Sequence, residues 1–252
     1  MISTRSPLRV GIPTSAVLLV AASAWAWVGV LVIAGDMGVM PGTMGLGVAS
    51  FLAVWALMMT AMMLPSVMPV AALYTRTMVD DRGRRLAFYT GGYLLVWAAA
   101  GIAAYGLASL AGRVVEGRGA TAFAVALFAA CGVYQLTPLK DRCLARCRSP
   151  LGFLMRYSSY QGPTRDVRVG LHHGGFCLAC CWSLMMLLVA FGLMNVVAMV
   201  GVASIVLVEK VWVRGPAFAR AVGVAALVFA VLVVWWPALA PGLEGWSRMA
   251  GM

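Results

Sequence analysis

Charge is what this sequence lacks. Lys+Arg number 19 and Asp+Glu 8 in 252 residues, so only 11% of the chain is charged, where a soluble globular domain carries about 25%. The shortage of acids is the sharper of the two, and there are only two histidines. A chain this poor in charge and 63% hydrophobic is not an intrinsically disordered segment, which needs the opposite balance. Six cysteines spread over such a length do not make a secreted disulfide scaffold either. No Walker-type glycine loop, hydrolase nucleophile elbow or dinucleotide fingerprint is present. Those absences point away from an ordinary cytosolic enzyme.

What is there is hydrophobic length. Six stretches carry no charge at all: 10–35, 37–75, 86–112, 119–139, 169–208 and 221–243. Each is at least as long as the roughly 20 residues a helix needs to cross a bilayer. The sequence predicts an all-α, polytopic transmembrane helix bundle, with single spans at 13–34, 46–70, 88–111, 120–136 and 221–236. Ala24-Trp25-Ala26 resembles a signal-peptide cleavage site, but apolar character continues past it, which predicts an uncleaved first helix. The stretch 176–208 would measure about 50 Å as one helix at 1.5 Å per residue, against an apolar core of about 30 Å. Two short helices joined near Gly192 to Asn195 solve that mismatch and bring the count to seven spans, with six as the alternative.

Charge orients the chain, because cytoplasmic loops collect Lys and Arg. Seven spans with a cytoplasmic N-terminus place 16 of the 19 Lys and Arg inside, and six spans place 14 there. Seven is the better arrangement. The net charge of +11 then needs no nucleic acid: it marks an inner face lying on anionic lipid, as in a multi-pass protein of the cell inner membrane. The whole chain, 1–252, reads as a single integral membrane domain. Its one sizeable polar segment is a cytoplasmic loop at 139–175, where Pro150, Gly152, Gly162 and Pro163 break any long helix. The alanines at 122, 126 and 130 form a small-residue stripe of the kind that lets helices approach closely.

Three groups of soft or borderline metal ligands stand out. In the second span, Met58 and Met62 lie four apart on one helix face and Met59 and Met63 on the next; Met37, Met40 and Met44 precede them. Pro65 removes a backbone hydrogen bond and predicts a kink. Thioethers suit Cu(I), although methionine is also a flexible core filler. In the fifth span, taken to begin near Gly174, Cys177, Cys181 and Met185 form a four-residue ladder with Cys180 beside it and His172 and His173 at its mouth. Imidazole, thiolate and thioether in line would make a soft-metal path, while the spacing matches no closed zinc site. Buried cysteine is commonly just a small hydrophobe. The third group is Cys143 and Cys147, flanked by Lys140, Arg142, Arg146 and Arg148. It reads equally as a two-thiolate handoff site or as surface thiols of a reducing compartment. Asn195 would cap the turn between the sixth span and its predecessor. Glu209, beside Lys210, is either an interfacial anchor or a ligand returned to the histidine and cysteine side.

Two stretches carry a resemblance. Trp55 with Met58-Met59-Thr60-Ala61-Met62-Met63-Leu64-Pro65, and Cys180-Cys181-Trp182-Ser183-Leu184-Met185 continuing through Gly192-Leu193-Met194-Asn195 to Glu209-Lys210, are similar to a family described as predicted metal-binding integral membrane proteins. Some of its members are called copper chaperones. The resemblance covers roughly residues 45 to 230. It implies a multi-span bundle with a metal role, and it singles out Met58, Met62, Cys180, Cys181, Met185, Asn195 and Glu209.

The leading expectation is therefore a copper-handling membrane protein, not an enzyme, that binds Cu(I) for delivery or translocation to a copper enzyme of the membrane. Its metal residues would be Met58, Met62, His172, His173, Cys177, Cys180, Cys181, Met185 and Glu209. Two other classes compete: a structural or assembly subunit of a larger membrane complex, and a membrane thiol–disulfide oxidoreductase using the Cys177–Cys180 spacing at a helix N-terminus. A transporter of organic solutes is least expected, because no intramembrane charge pair is visible in the sequence.

Overall fold

A computed structural model describes residues 14–37, 42–78, 81–114 and 118–243. The described residues are helical throughout, with no strand: α1 (Thr14–Met37), α2 (Val48–Arg76), α3 (Arg82–Val114), α4 (Arg118–Gln135), α5 (Pro138–Cys147), α6 (Pro150–Tyr157), α7 (Arg165–Phe191), α8 (Val196–Val211) and α9 (Gly215–Trp235). Five of them (α1, α2, α3, α7 and α9) are long and apolar enough to cross a membrane. The count rises to six if α4 and α5, bent by 68° at a short break, form one span. In the long apolar stretch after residue 175, the chain breaks where length requires it. Gly192 adopts φ 94°, a left-handed conformation glycine tolerates, and Asn195 caps α8 by accepting from the Ala198 amide at 3.1 Å.

Two helices form the centre. In the most apolar windows of α2 and α7, 56% and 61% of residues are buried, against 28% for α1, α3 and α9. Helix α2 packs on α1, α3 and α8, and α7 on α3, α4, α5 and α8. The closest approach is between α3 and α7. A side chain at Gly92 would strike the Val167 carbonyl, and one at Gly170 the Tyr89 carbonyl. The contact order 85 with 166, 89 with 173 and 93 with 177 makes the two helices parallel, so both N-termini lie at one end.

Helix α2 continues unbroken through Pro65 and Pro69. The carbonyl orphaned by Pro65 is that of Ala61, four residues back, and it accepts instead from Ser23 Oγ of α1 at 2.8 Å. Trp55 is fixed beside it by donating Nε1 to the Trp97 carbonyl at 2.9 Å. The alanine stripe plays no such part: Ala122, Ala126 and Ala130 face outward, and α4 meets α9 through Gly132 and Gly223.

The segment expected as a loop at 139–175 is largely helical. Thr137 caps α5 and Ser149 caps α6, each with proline at the start of the helix. The last eleven residues of that segment are the first three turns of α7.

Candidate functional site

The early start of α7 changes the setting of the cysteines. With the helix beginning at Arg165, Cys177 sits three turns inside it, not at an N-terminus. His173, Cys177, Cys181 and Met185, spaced by four, are all buried on one face, and Cys180 is buried beside them. The expected histidine mouth divides. His172 is exposed and pairs with Tyr160 Oη at 3.0 Å, whereas His173 is 4% exposed and its Nδ1 lies 2.7 Å from Tyr89 Oη. His173 is further enclosed by the rings of Tyr93 and Phe153.

Around the α7 thiols three other helices converge. From α5, Cys147 adjoins Cys180, and both loop cysteines, Cys143 and Cys147, are buried, not surface thiols. From α8, Lys210 sets Nζ 2.8 Å from Cys177 Sγ and 3.0 Å from Ser66 Oγ of α2. From α3, Tyr93 Oη lies 3.0 Å from the same sulfur. Cys180 and Cys181 donate their thiols back to the Cys177 carbonyl at 3.2 and 2.9 Å. All six cysteines are free.

Beside the thiols is a buried ion pair. Lys140 and Glu209, expected as a loop cation and a partner of Lys210, instead bond each other at 2.6 Å with side chains 0% and 1% exposed. Gln135 of α4 donates Nε2 to the other Glu209 oxygen at 2.7 Å, and Lys140 also donates to the Cys180 carbonyl at 2.5 Å. Both carboxylate oxygens of Glu209 are thus occupied by donors. The expectation that no interior charge pair exists is corrected here: Lys140 belongs to the segment taken for a loop, so sequence order hid its approach to Glu209. Gln135, the one amide side chain in its uncharged stretch, was the sequence signal for this network.

The methionine face lies elsewhere. Met58, Met59, Met62 and Met63 are each at most 2% exposed, so none faces the surroundings. Met62 and Pro65 line a groove of about 220 Å³ that α2 shares with Trp27 of α1 and Val200, Ala203 and Leu207 of α8. At the junction with Lys210 and Cys177, the α2 side chain is Ser66. Met44 is buried; Met40 and the side chain of Met37 lie outside the described residues. Asn195 is engaged as a helix cap, also donating to the Phe191 carbonyl at 3.2 Å.

Among the described residues, no three His, Cys, Asp or Glu side chains form a group arranged to hold a metal. What the geometry offers is a thiol cluster with a cation built into it. It also has an approach: a cavity of about 210 Å³, rimmed by Arg146 and Arg156, reaches Cys147 and His173. Against that geometry, residues 52–233 match the family model PpoB2, described as a copper chaperone. The match spans more than half of the sequence. The chain belongs to this copper chaperone family. No curated protein and no solved structure matches it. The family's matched region runs from the start of α2 to the end of α9 and so includes both the methionine face and the thiol cluster.

Proposed function

We propose that this protein carries Cu(I) as cargo within the membrane and passes it to a membrane copper enzyme. Cys177, Cys180 and Cys181 of α7, joined by Cys147 of α5, are the holding site, with Met185 one turn further along. Met58 and Met62 form a separate thioether path, and His173 with Cys147 stands at the opening through which the ion enters or leaves.

One observation carries the reading: the ammonium of the half-buried Lys210 sits 2.8 Å from the sulfur of the buried Cys177. Burying a charge is costly unless a partner repays it. Cu(I) bound by two thiolates is an anion overall, and in an apolar interior that complex needs a nearby counter-charge. Lys210 supplies it. Soft thiolate and thioether donors select the reduced ion, and a d10 ion of low coordination can be held by two thiolates without a third ligand. The family description supports a copper cargo. The reading includes seven crossings, with α4 and α8 as the short ones, and a cytoplasmic N-terminus in the inner membrane, supported by the concentration of Lys and Arg on one side.

The test is copper analysis of purified protein loaded under reducing conditions. Wild type is expected to retain copper, and joint replacement of Cys177, Cys180 and Cys181 by Ser to abolish retention. Copper content that survives the joint replacement removes these thiols from the site.

A further inference from the structure

A cavity of about 550 Å³ lies away from the thiols. It opens where α3 and α7 begin, and its walls include Arg84, Arg85, Arg165, Asp166, Gln161 and Phe88. Because α3 and α7 run parallel, two helix N-termini face the same space. Each presents the positive end of a helix dipole.

The arginines divide by what they touch. Arg85 is held by Asp166, with Nε and Nη2 at 3.0 and 3.2 Å from its two oxygens, and Asp166 is further engaged by Tyr74 Oη at 2.6 Å. Among the described residues, the one acid lining the cavity is thereby used up. Arg84 meets Asp81 in an exposed pair, which holds it weakly. Arg165 is the outlier: its Nε is buried and has no hydrogen-bond partner among the described residues. Arg165 lines the cavity without an acid partner of its own among the described residues, and a guanidinium's planar fork of donors matches the geometry of a phosphate. Phe88, 48% exposed at the same rim, offers an apolar surface next to it.

We infer that this cavity binds a phosphate group, gripped by Arg165 and Arg84 over the two helix N-termini, with Arg85 fixed in place by Asp166 as its wall. The phosphate comes either from an anionic phospholipid headgroup or from a soluble phosphoryl compound. The site is independent of the copper reading, since it shares no residue with the thiol cluster.

The experiment titrates the purified, delipidated full chain with phosphatidylglycerol or phosphatidylcholine, followed by native mass spectrometry, with inorganic phosphate as a competitor. Wild type is expected to prefer phosphatidylglycerol, and Arg84→Gln with Arg165→Gln to lose roughly fivefold of that preference per arginine. Arg214→Gln, exposed at the α8–α9 turn, is the control for general surface charge and should change nothing. Displacement by inorganic phosphate assigns the site to soluble phosphoryl groups; persistence of the lipid assigns it to headgroups. Arg165→Lys keeps the charge but not the fork, and is expected to bind more weakly than wild type even if the glutamine variants fail to fold. Full phosphatidylglycerol preference in Arg165→Lys, or equal loss in Arg214→Gln, overturns the proposal.

Discussion

The two central helices each carry a buried row of sulfur, and they differ in the company that sulfur keeps. On α2, Met58, Met59, Met62 and Met63 are as buried as any residue of the core, and the one polar need of that stretch, the Ala61 carbonyl, is met by Ser23. Packing is enough to explain their burial. On α7, the thiols sit among Lys210, Lys140, Glu209, Tyr93 and His173, all buried or nearly so. Packing does not account for the fully buried Lys140–Glu209 pair with a second, half-buried lysine beside it, since a hydrophobic replacement of a buried ion pair is often neutral or stabilising. The difference teaches that residue softness marks a candidate ligand, while buried charge beside it marks where chemistry has displaced stability.

The strongest way to break this comparison is at the ion pair. Lys140→Met is expected to destabilise the fold by about 3–5 kcal/mol, because it leaves the Glu209 carboxylate buried with only Gln135 as donor. Lys140→Met with Glu209→Met should recover most of that loss. The midpoint of chemical unfolding in detergent measures both. If the single variant unfolds like wild type, the pair is not a constraint and the contrast between α2 and α7 weakens. If the double variant folds well but no longer retains copper, the pair is there for the thiols and not for the fold.

That network also marks the limit of sequence reading. The helices were legible because charge-free length dictates them, and the break after Phe191 followed from bilayer thickness and from a glycine and an asparagine suited to a turn. The ladder from His173 to Met185 was legible because four-residue spacing fixes a helix face. The beginning of α7 was not: the charged first turns at 165–172 hid a helix that runs on into the apolar stretch, which moved Cys177 away from any N-terminus and removed the reason to expect an activated redox thiol there. Nor was the Lys140–Glu209 pair legible, since its members lie 69 residues apart and only the packing of α5 against α7 and α8 brings them together. Lys210 was visible but misassigned. Its neighbour in sequence is Glu209, yet successive residues on a helix point in different directions, and its partner in space is Cys177.

A smaller effect sharpens the α2 side. Ser23→Ala is expected to cost about 1–3 kcal/mol, the penalty for leaving the Ala61 carbonyl buried without a donor. In a Pro65→Ala background the restored amide at position 65 can satisfy that carbonyl, so the same Ser23→Ala change should cost much less. A double-mutant cycle on unfolding midpoints reads the coupling directly. Additive losses would mean that Ser23 does not serve the orphaned carbonyl, and that α2 has a polar need not accounted for by packing.

The smallest expected effect falls on the methionines themselves. Met58→Leu with Met62→Leu conserves volume and apolar character, and such exchanges usually cost less than about 1.5 kcal/mol. Since Met62 faces the groove shared with α1 and α8, and the α2 side chain at the junction with the thiols is Ser66, the variant should also keep most of its copper. Measured beside the triple cysteine variant, it separates two forms of the copper reading. Retention with leucine in place assigns the holding site to α5, α7 and α8 and leaves the thioethers as a path or as packing. Loss as complete as that of the cysteine variant would mean that the ion is held between α2 and α7, and that the polar company of the thiols is a poor guide to where the metal rests.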